Sequence, residues 1–448
     1  AAANEELRDA APADGDALSV VPDRLRLTFL NPVQLDLAHL ALEGPNGAVE
    51  LGELRRASGA ANVLVGPIRD RLVAGTYTVR WQVAGPDGHP VRGEYTFAVL
   101  PDAEGVAPAP VKPEVVDTRE SEVQGAEMGA FPVSNFDSAS PAYVVVRWLT
   151  FLGLLGVIGV VAFRVLVLSL LERTGTLAEE GAVLVPAKDR AVRIGVGAVG
   201  LLAVALILRL YAQLYALHGP GQGLDAERIG SLLTGTTWGL GWQLQAVGIV
   251  VAASGFAVSR RRARAGWALA ALGATLLAFT PALSGHAAGA QDLAWLAILA
   301  HGLHVLGAGG WLGGLLIVVT AGIPVALRQP AGRGTAAALV NAFSPTALFF
   351  GGLVIATGVL SAWLHVGVVS ALWTTDYGRT LLLKLGVLSL VFGTGAYNWL
   401  KVRPTLGESA AVGRLRRSAG VELTVAVIVL AVTAVLVATP LPAETLNP

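Results

Sequence analysis

Residues 292–320, DLAWLAILAHGLHVLGAGGWLGGLLIVVT, decide the fold, and Asp292 is the only charged residue among them. A run of about 20 apolar residues is long enough to cross a bilayer as a helix, so the stretch predicts a transmembrane helix. His301 and His304 lie inside it. Ionisable side chains within membrane helices are costly, and they usually face a bundle interior or a pathway. The stretch therefore predicts both a membrane domain and a candidate functional site.

Seven more apolar windows accompany this one between residues 141 and 440, which gives eight predicted transmembrane helices. The windows are 142–171, 191–217, 230–258, 266–285, 292–320, 337–365, 378–400 and 415–438. Loops rich in Lys and Arg alternate with loops that are nearly free of them. Because base-rich loops remain in the cytoplasm, we expect both termini on the extracytoplasmic side of the membrane.

Composition supports a membrane protein and narrows the chemistry. Of the 448 residues, 54% are hydrophobic and 14% are charged, against about 25% charged in soluble domains, which argues against a soluble enzyme or a nucleic-acid-binding protein. Residues 1–140 hold 21 acidic and 11 basic residues, and the rest hold 11 acidic and 21 basic ones. The chain has no cysteine, and Met128 is its single methionine. A metal site would therefore use histidine, carboxylate or backbone ligands.

The first 100 residues predict an all-β module of the sandwich type, because short runs rich in Val, Leu, Thr and aromatic residues alternate with Gly- and Pro-containing turns. The predicted strands are 24–29, 35–42, 49–54, 62–65, 76–83 and 94–99. Residues 101–140 carry five prolines and several acidic residues, which predicts a linker. Residues 441–448 are assigned to an extracytoplasmic tail. No signal peptide is visible at Ala1–Ala3, so we expect the numbering of a processed chain.

The histidines of the membrane region fall toward its extracytoplasmic side. His218, His286 and His365 end predicted helices there, and a rise of 1.5 Å per residue puts His301 and His304 about 12 and 17 Å along theirs. We predict a metal site lined by His286, His301, His304 and His365. Imidazoles without thiolates suit copper, zinc or haem iron.

Four further residues are candidate accessories of this site. They are His218, Trp311, Lys384 and Glu422. Lys384 lies near an outer helix end, from which a long side chain can reach the interface. Glu422 is an interfacial acid, an ion-pair partner or an exit-side ligand, and the sequence leaves these three alternatives open.

Several motifs of the membrane region resemble the CopD family of copper-resistance membrane proteins. They are LHVLGAGGWLGGL at 303–315, SGHAAG at 284–289, Phe343-Ser344, the stretch from Arg379 through Lys384 to Asn398, and Glu422 followed by a proline-rich end. The β module resembles the cupredoxin-like CopC sandwich in PADGDAL at 12–18, RLRLTFLNPV at 24–33 and GTYTVRWQVAGPDGHPVRGEYTFAV at 75–99. The whole chain is similar to a CopC–CopD fusion.

This resemblance implies a multidomain membrane protein, with an all-β cupredoxin-like sandwich at residues 1–100 and an all-α bundle of eight transmembrane helices at 141–440. It also implies a copper site at Asp87 and His89. Asn4 stands where the family carries an N-terminal histidine, and the module has no methionine, so we expect a degenerate site.

The function implied by the resemblance is transport of copper ions across the inner membrane, in the direction of uptake. The β domain would then lie at the periplasmic mouth. Expected partners are the lipid bilayer, a periplasmic copper donor and a cytoplasmic acceptor, and no nucleic acid is expected. No P-loop occurs, and no catalytic nucleophile–base pair is apparent, so an enzyme is not predicted. Two alternatives remain: a b-type haem protein with histidine axial ligands, and a copper sensor or scaffold.

Overall fold

A computed structural model describes residues 7–30, 33, 35–57, 59–84, 90–105, 140–175, 180–218, 225–283, 293–405 and 411–439. The chain divides into two compact units. One comprises residues 1–135, 213–236 and 448, and the other comprises residues 136–212 and 237–447.

The first unit contains the predicted β-sandwich, with nine strands in its described part. They are β1 (Leu7–Ala11), β2 (Ala17–Val20), β3 (Arg24–Phe29), β4 (His39–Gly44), β5 (Gly47–Val49), β6 (Arg55–Ala57), β7 (Ala60–Pro67), β8 (Gly75–Ala84) and β9 (Pro90–Glu104). One sheet has the order β1-β3-β7-β6, and the other has the order β2-β9-β8-β4-β5.

The core of the sandwich follows from alternation along its strands. In β3, Leu25, Leu27 and Phe29 are at most 1% exposed, while Arg24 and Arg26 beside them are exposed, as expected for a strand with one buried face. Trp81 of β8 is fully buried, and its ring meets that of Phe29 edge to face at 5.1 Å. The two sheets therefore share an aromatic core.

Two predicted strands are wrong in part. Residues Leu35–Leu37 form a 3-10 turn, and strand β4 starts only at His39. The predicted strand at 49–54 is also displaced, because Gly44 pairs with Gly47 in a tight hairpin and β5 ends at Val49. Strands β1, β2 and β6 are not among the predicted runs. They are short and mostly exposed, so they lack the buried alternation on which the prediction depends.

The second unit is helical, and the described residues contain eight helices long and apolar enough to cross a membrane, as predicted. They are α1 (Pro141–Thr174), α2 (Ala182–Leu217), α3 (Thr237–Ser259), α4 (Ala263–Leu283), α5 (Ala294–Ala326), α6 (Gly332–Val366), α7 (Asp376–Thr405) and α8 (Gly413–Leu436). The last few residues of α2 belong to the first unit.

The helix boundaries differ most from the predicted windows at two places. Helix α2 begins nine residues before its window, because the charged segment 188–193 continues the helix. Before α3, residues Ala226–Gly235 form a separate short helix, and the Asp225 side chain caps it by accepting from the Arg228 backbone N–H at 2.8 Å. Thr236 is extended and separates this helix from α3.

Helix α5 is the most enclosed of the eight. In its most apolar window 72% of the residues are buried, against 17% for α6 and 11% for α7. Glycines allow α5 to pack this closely against its neighbouring helices. A Cβ on Gly313 would lie 2.1 Å from the backbone oxygen of Leu155 in α1, and one on Gly310 would lie 2.3 Å from the Phe350 ring in α6. Small residues spaced in this way let membrane helices approach closely.

Helix α5 also contains two π-helical segments, Gly309–Gly313 and Val318–Gly322. A π segment inserts an extra residue into the helical repeat and turns the faces on its two sides relative to each other. Trp311 lies inside the first segment. The local irregularity therefore sets where this large side chain points.

The contact between α1 and α5 gives a stability prediction. We expect Gly313→Ala to lower the free energy of unfolding by about 1–3 kcal/mol, the usual range for overpacking, because its Cβ would overlap the Leu155 carbonyl. The measurement is thermal unfolding of the purified protein in detergent.

Gly352→Ala is the matched control for this prediction, since no atom lies within 4 Å of the Cβ that it adds to α6. Alanine favours a helix relative to glycine, so this control should unfold at an unchanged or slightly higher temperature. Equal behaviour of the two variants would contradict the close packing of α1 on α5.

Candidate functional site

The second unit contains a cavity of about 200 Å³ lined by side chains from α1, α4, α5, α6, α7 and α8. We call it the histidine cavity, and the residues that define it are His301, His304, Trp311, His365, Tyr377 and Lys384. Room for one water needs about 10–15 Å³ on a comparable measure. The cavity can therefore hold an ion together with several waters.

The cavity lies toward one end of the helix bundle. Its lining includes Ala282 and His365 near the ends of α4 and α6, together with Ala297 and Tyr377 near the beginnings of α5 and α7. The base-rich segments 260–264, 328–333 and 401–417 lie at the other ends of these helices. The cavity is thus at the base-poor end of the bundle.

His301 and His304 reach the cavity from one face of α5, because residues three apart on a helix are neighbours. Gly302 lies between them and packs against Phe279 of α4, where a Cβ would lie 2.3 Å from the ring. The Nε2 atom of His301 is buried and has no hydrogen-bond partner in the described part of the chain. A buried nitrogen without a partner is costly unless something else occupies that position.

A threonine fixes the orientation of the His304 ring. The Thr357 hydroxyl donates to the Leu353 carbonyl at 2.6 Å, and its oxygen lies 3.0 Å from Nδ1 of His304. Because the hydroxyl proton is already used, the network assigns the imidazole proton to Nδ1, which donates to Thr357. Nε2 then keeps its lone pair, as a metal-ligating histidine requires.

A backbone carbonyl fixes the tautomer of His365 in the same way. Its Nδ1 lies 2.7 Å from the Ser361 carbonyl oxygen. A carbonyl only accepts, so Nδ1 carries the proton and Nε2 of His365 also keeps a lone pair. A helix carbonyl or a hydroxyl behind a ligating histidine is a common way to fix its tautomer.

The three imidazoles line one cavity, but they do not form a preassembled cage. Within the described residues, no group of three or more His, Asp or Glu side chains is close enough to hold one metal ion. His286, the fourth predicted ligand, lies in segment 284–292, outside the described residues. The cavity therefore holds three imidazoles without a preassembled metal site in the described part of the chain.

Lys384 brings a positive charge to the cavity. It lies eight residues after the start of α7, about 12 Å along the helix, and its side chain lines the cavity. No acidic side chain forms an ion pair with Lys384 in the described ranges. Its ammonium group opposes the entry of a cation and favours an anion.

Trp311 is shared by the cavity and a second polar group of side chains. Its ring lines the cavity and stacks on Phe392 of α7 with the ring centroids 4.8 Å apart, and its side chain lies beside the Glu422 carboxylate. Glu422 is 3% exposed and lies about 14 Å inside α8 from its start. The Glu422 side chain is therefore enclosed by the helices around it.

The predicted residues of the β module lie mostly outside what the structure describes. Asp87 and His89 fall in the undescribed segment 85–89, and for His218 only the backbone is described. His39, on β4, is described. Burial lowers its pKa, and the neighbouring charges of Arg228 and Arg92 lower it further.

Three protein-family models match the chain. They are the CopC domain at residues 7–100, the N-terminal domain of copper resistance protein D-like proteins at 137–296, and copper resistance protein D at 337–436.

Two similar proteins agree with these matches. Copper transport protein CutJ of Bacillus subtilis (strain 168) is 25% identical, and the match covers 97% of this chain and 74% of CutJ. Copper resistance protein C of Escherichia coli is 31% identical over 107 residues, which cover 22% of this chain and 83% of that protein. The crystal structure of selenomethionine PcoC from Escherichia coli matches 21% of this chain and 98% of that chain at 26% identity, with a TM-score of 0.20.

The family models cover both the sandwich and the helical bundle, in the order that the fold shows. The chain therefore belongs to the copper-resistance family in which an N-terminal CopC domain precedes membrane-spanning CopD domains.

Proposed function

We propose that this protein carries copper ions across the bacterial inner membrane, in the direction of uptake, through the histidine cavity. The observation that carries the proposal is that His301, His304 and His365 line one intramembrane cavity, two of them with Nε2 kept as a lone pair and the third with Nε2 buried and unpartnered. Imidazole is a good ligand for copper. The copper-transport name of CutJ, which matches nearly the whole chain, supports the same cargo.

The position of the cavity supports entry from the periplasm. Because base-rich loops remain in the cytoplasm, the base-poor end of the bundle, where the cavity lies, would face outward. The first unit and both termini would then be extracytoplasmic. Copper would enter beside His365 and Tyr377 and reach His301 and His304 deeper in α5.

The experiment that tests this proposal is elemental analysis of copper in the full-length protein purified in detergent, with titration of the copper affinity and uptake in proteoliposomes. His304→Ala should lose bound copper and uptake, because it removes a ligand. Thr357→Val keeps the ligand but removes the acceptor of its Nδ1 proton. It should weaken copper binding about 10–100-fold, the range for lost second-shell partners.

Thr394→Val is the matched control, because the Thr394 hydroxyl makes the same bond to the carbonyl four residues earlier, at 3.0 Å, and Thr394 does not line the cavity. It should bind copper as the wild type does. Equal copper binding by wild type, His304→Ala and Thr357→Val would overturn the proposed site. Iron at one or two atoms per chain instead of copper would favour the b-type haem alternative.

The charge of Lys384 gives a separate prediction. Replacing it with methionine removes a like charge from the cavity while keeping a long side chain. We expect Lys384→Met to tighten copper binding about tenfold, since charges several ångströms apart inside a protein interact by a few kcal/mol.

The control for this prediction is Lys401→Met, which removes an exposed lysine outside the cavity. Isothermal titration with copper on both variants is the measurement. A weaker affinity in Lys384→Met would mean that Lys384 helps to hold the cargo, for example by pairing with an anion that accompanies the copper.

A further inference from the structure

A second polar site lies in the bundle beyond the histidine cavity. Glu422 of α8 accepts a hydrogen bond from the Asn398 amide, with Nδ2 and Oε2 3.1 Å apart, and the Trp311 side chain lies beside it. The Ser418 hydroxyl donates in turn to the Asn398 side-chain oxygen. We call these four residues, Trp311, Asn398, Ser418 and Glu422, the Glu422 cluster.

The cluster lies farther from the base-poor end than the cavity does. On α7 the cavity is lined by residues up to Leu388, and Asn398 comes ten residues later. On α8 the lining begins at Val429, and Glu422 comes seven residues earlier. Seven to ten residues of helix correspond to about 10–15 Å. The two sites are therefore separate, and Trp311 contacts both.

Among the described residues, no basic side chain forms an ion pair with Glu422. The titratable or charged groups on its own helix and on the helices packed against α8 are Tyr143, Arg147, Arg164, Glu172 and Arg173 of α1, His301 and His304 of α5, Asp376, Tyr377, Arg379, Lys384, Tyr397, Lys401 and Arg403 of α7, and Arg414, Arg416 and Arg417 of α8 itself. None of them forms an ion pair with Glu422 in the part of the chain that the structure describes. Arg403 lies five residues after Asn398 on α7. Its side chain donates instead to Asn341 and lies 4.2 Å from the centre of the Trp399 ring.

A buried carboxylate with only neutral hydrogen-bond donors is costly inside a membrane domain. It is stabilised by taking up a proton or a cation. The cluster offers oxygen atoms, which soft copper disfavours, and too few of them for Mg²⁺ or Ca²⁺, which take six or more oxygen ligands. The cation that fits one carboxyl group among neutral donors is a proton.

Trp311 lines the histidine cavity and lies beside Glu422, so a charge in the cavity can act on a proton bound to Glu422. A cation in the cavity favours the ionised form of Glu422 by Coulomb attraction through a low-dielectric interior. Linkage is reciprocal, so a proton on Glu422 weakens cation binding by the same factor that the cation weakens proton binding.

We propose that Glu422 is a proton-binding site coupled to the histidine cavity, so that each copper ion that binds in the cavity displaces the proton from Glu422. The balance is one cation bound in the cavity and one proton released from the carboxyl group, which becomes a carboxylate. This coupling rests on the proposed copper function, whereas the presence of the proton on Glu422 does not.

Infrared difference spectroscopy of the full-length protein in lipid nanodiscs tests both parts. The metal-free wild type should show the C=O stretching band of a protonated carboxyl group at neutral pH, and Glu422→Gln should lack it. Glutamine keeps the shape and the hydrogen-bonding capacity of the side chain, so the fold is preserved. Glu172→Gln, which removes an acid paired with Arg164 at 3.2 Å outside the cavity, should keep the band.

Copper addition completes the experiment. The band should disappear when copper binds, and a pH indicator in weak buffer should report about one proton fewer released per copper by Glu422→Gln than by the wild type. Identical spectra of metal-free wild type and Glu422→Gln would overturn the proton site.

The remaining outcomes separate this inference from the proposed function. A band that copper binding leaves unchanged would overturn the coupling alone. A protein that shows the band and does not bind copper would overturn the copper site and with it the coupling, and Glu422 would still carry its proton.

Discussion

The close approach of α5 to its neighbours is the constraint on which the membrane domain depends. Gly313 contacts the backbone of α1, where any Cβ would lie 2.1 Å from the Leu155 oxygen, and Gly310 contacts Phe350 of α6. Membrane helices gain little from the hydrophobic effect when they associate, because lipid tails are themselves apolar. Close packing contacts such as these therefore supply much of the association energy. They hold α5 inside the bundle, and the histidines and Trp311 on α5 consequently face other helices and not lipid.

Once α5 is enclosed, its polar atoms must find partners within the protein. His304 donates its Nδ1 proton to Thr357, and His365 donates its own to the Ser361 carbonyl. Each bond satisfies one ring nitrogen and leaves the other for a ligand. The same requirement applies at Glu422, where the partners are neutral. The need to pair buried polar atoms thus gives two different sites. The cavity offers nitrogen ligands, and the Glu422 cluster beyond it offers oxygen atoms.

The sequence predicts much of the architecture because long apolar runs and strand alternation are strong signals. Eight membrane helices and the strands around Leu25 and Trp81 follow from them. The 3-10 turn at Leu35–Leu37 does not, because its alternation resembles a strand and only tertiary packing distinguishes the two. Short exposed strands such as β6 carry no buried face to recognise.

The candidate site is only partly predictable for a related reason. A histidine within an apolar run is visible in sequence, so His301 and His304 stand out. Thr357 does not, because threonine is common in membrane helices and its role depends on the partner 53 residues away. The burial of Glu422 does not follow from the sequence either, because it depends on which helices pack around α8. Its neighbour Trp311 lies in a π segment of α5, which the apolar pattern of the sequence does not mark.

The sparse arrangement of ligands suits transport better than storage. A pathway must bind its ion firmly enough to take it in and weakly enough to let it go. Thiolates grouped around copper favour firm binding over release, and this chain has no cysteine. Its described imidazoles line one cavity without forming a cage, and Lys384 adds a charge that opposes a cation. In the proposed mechanism, a proton on Glu422 would weaken binding further, so the cavity would hold copper only while that proton is absent.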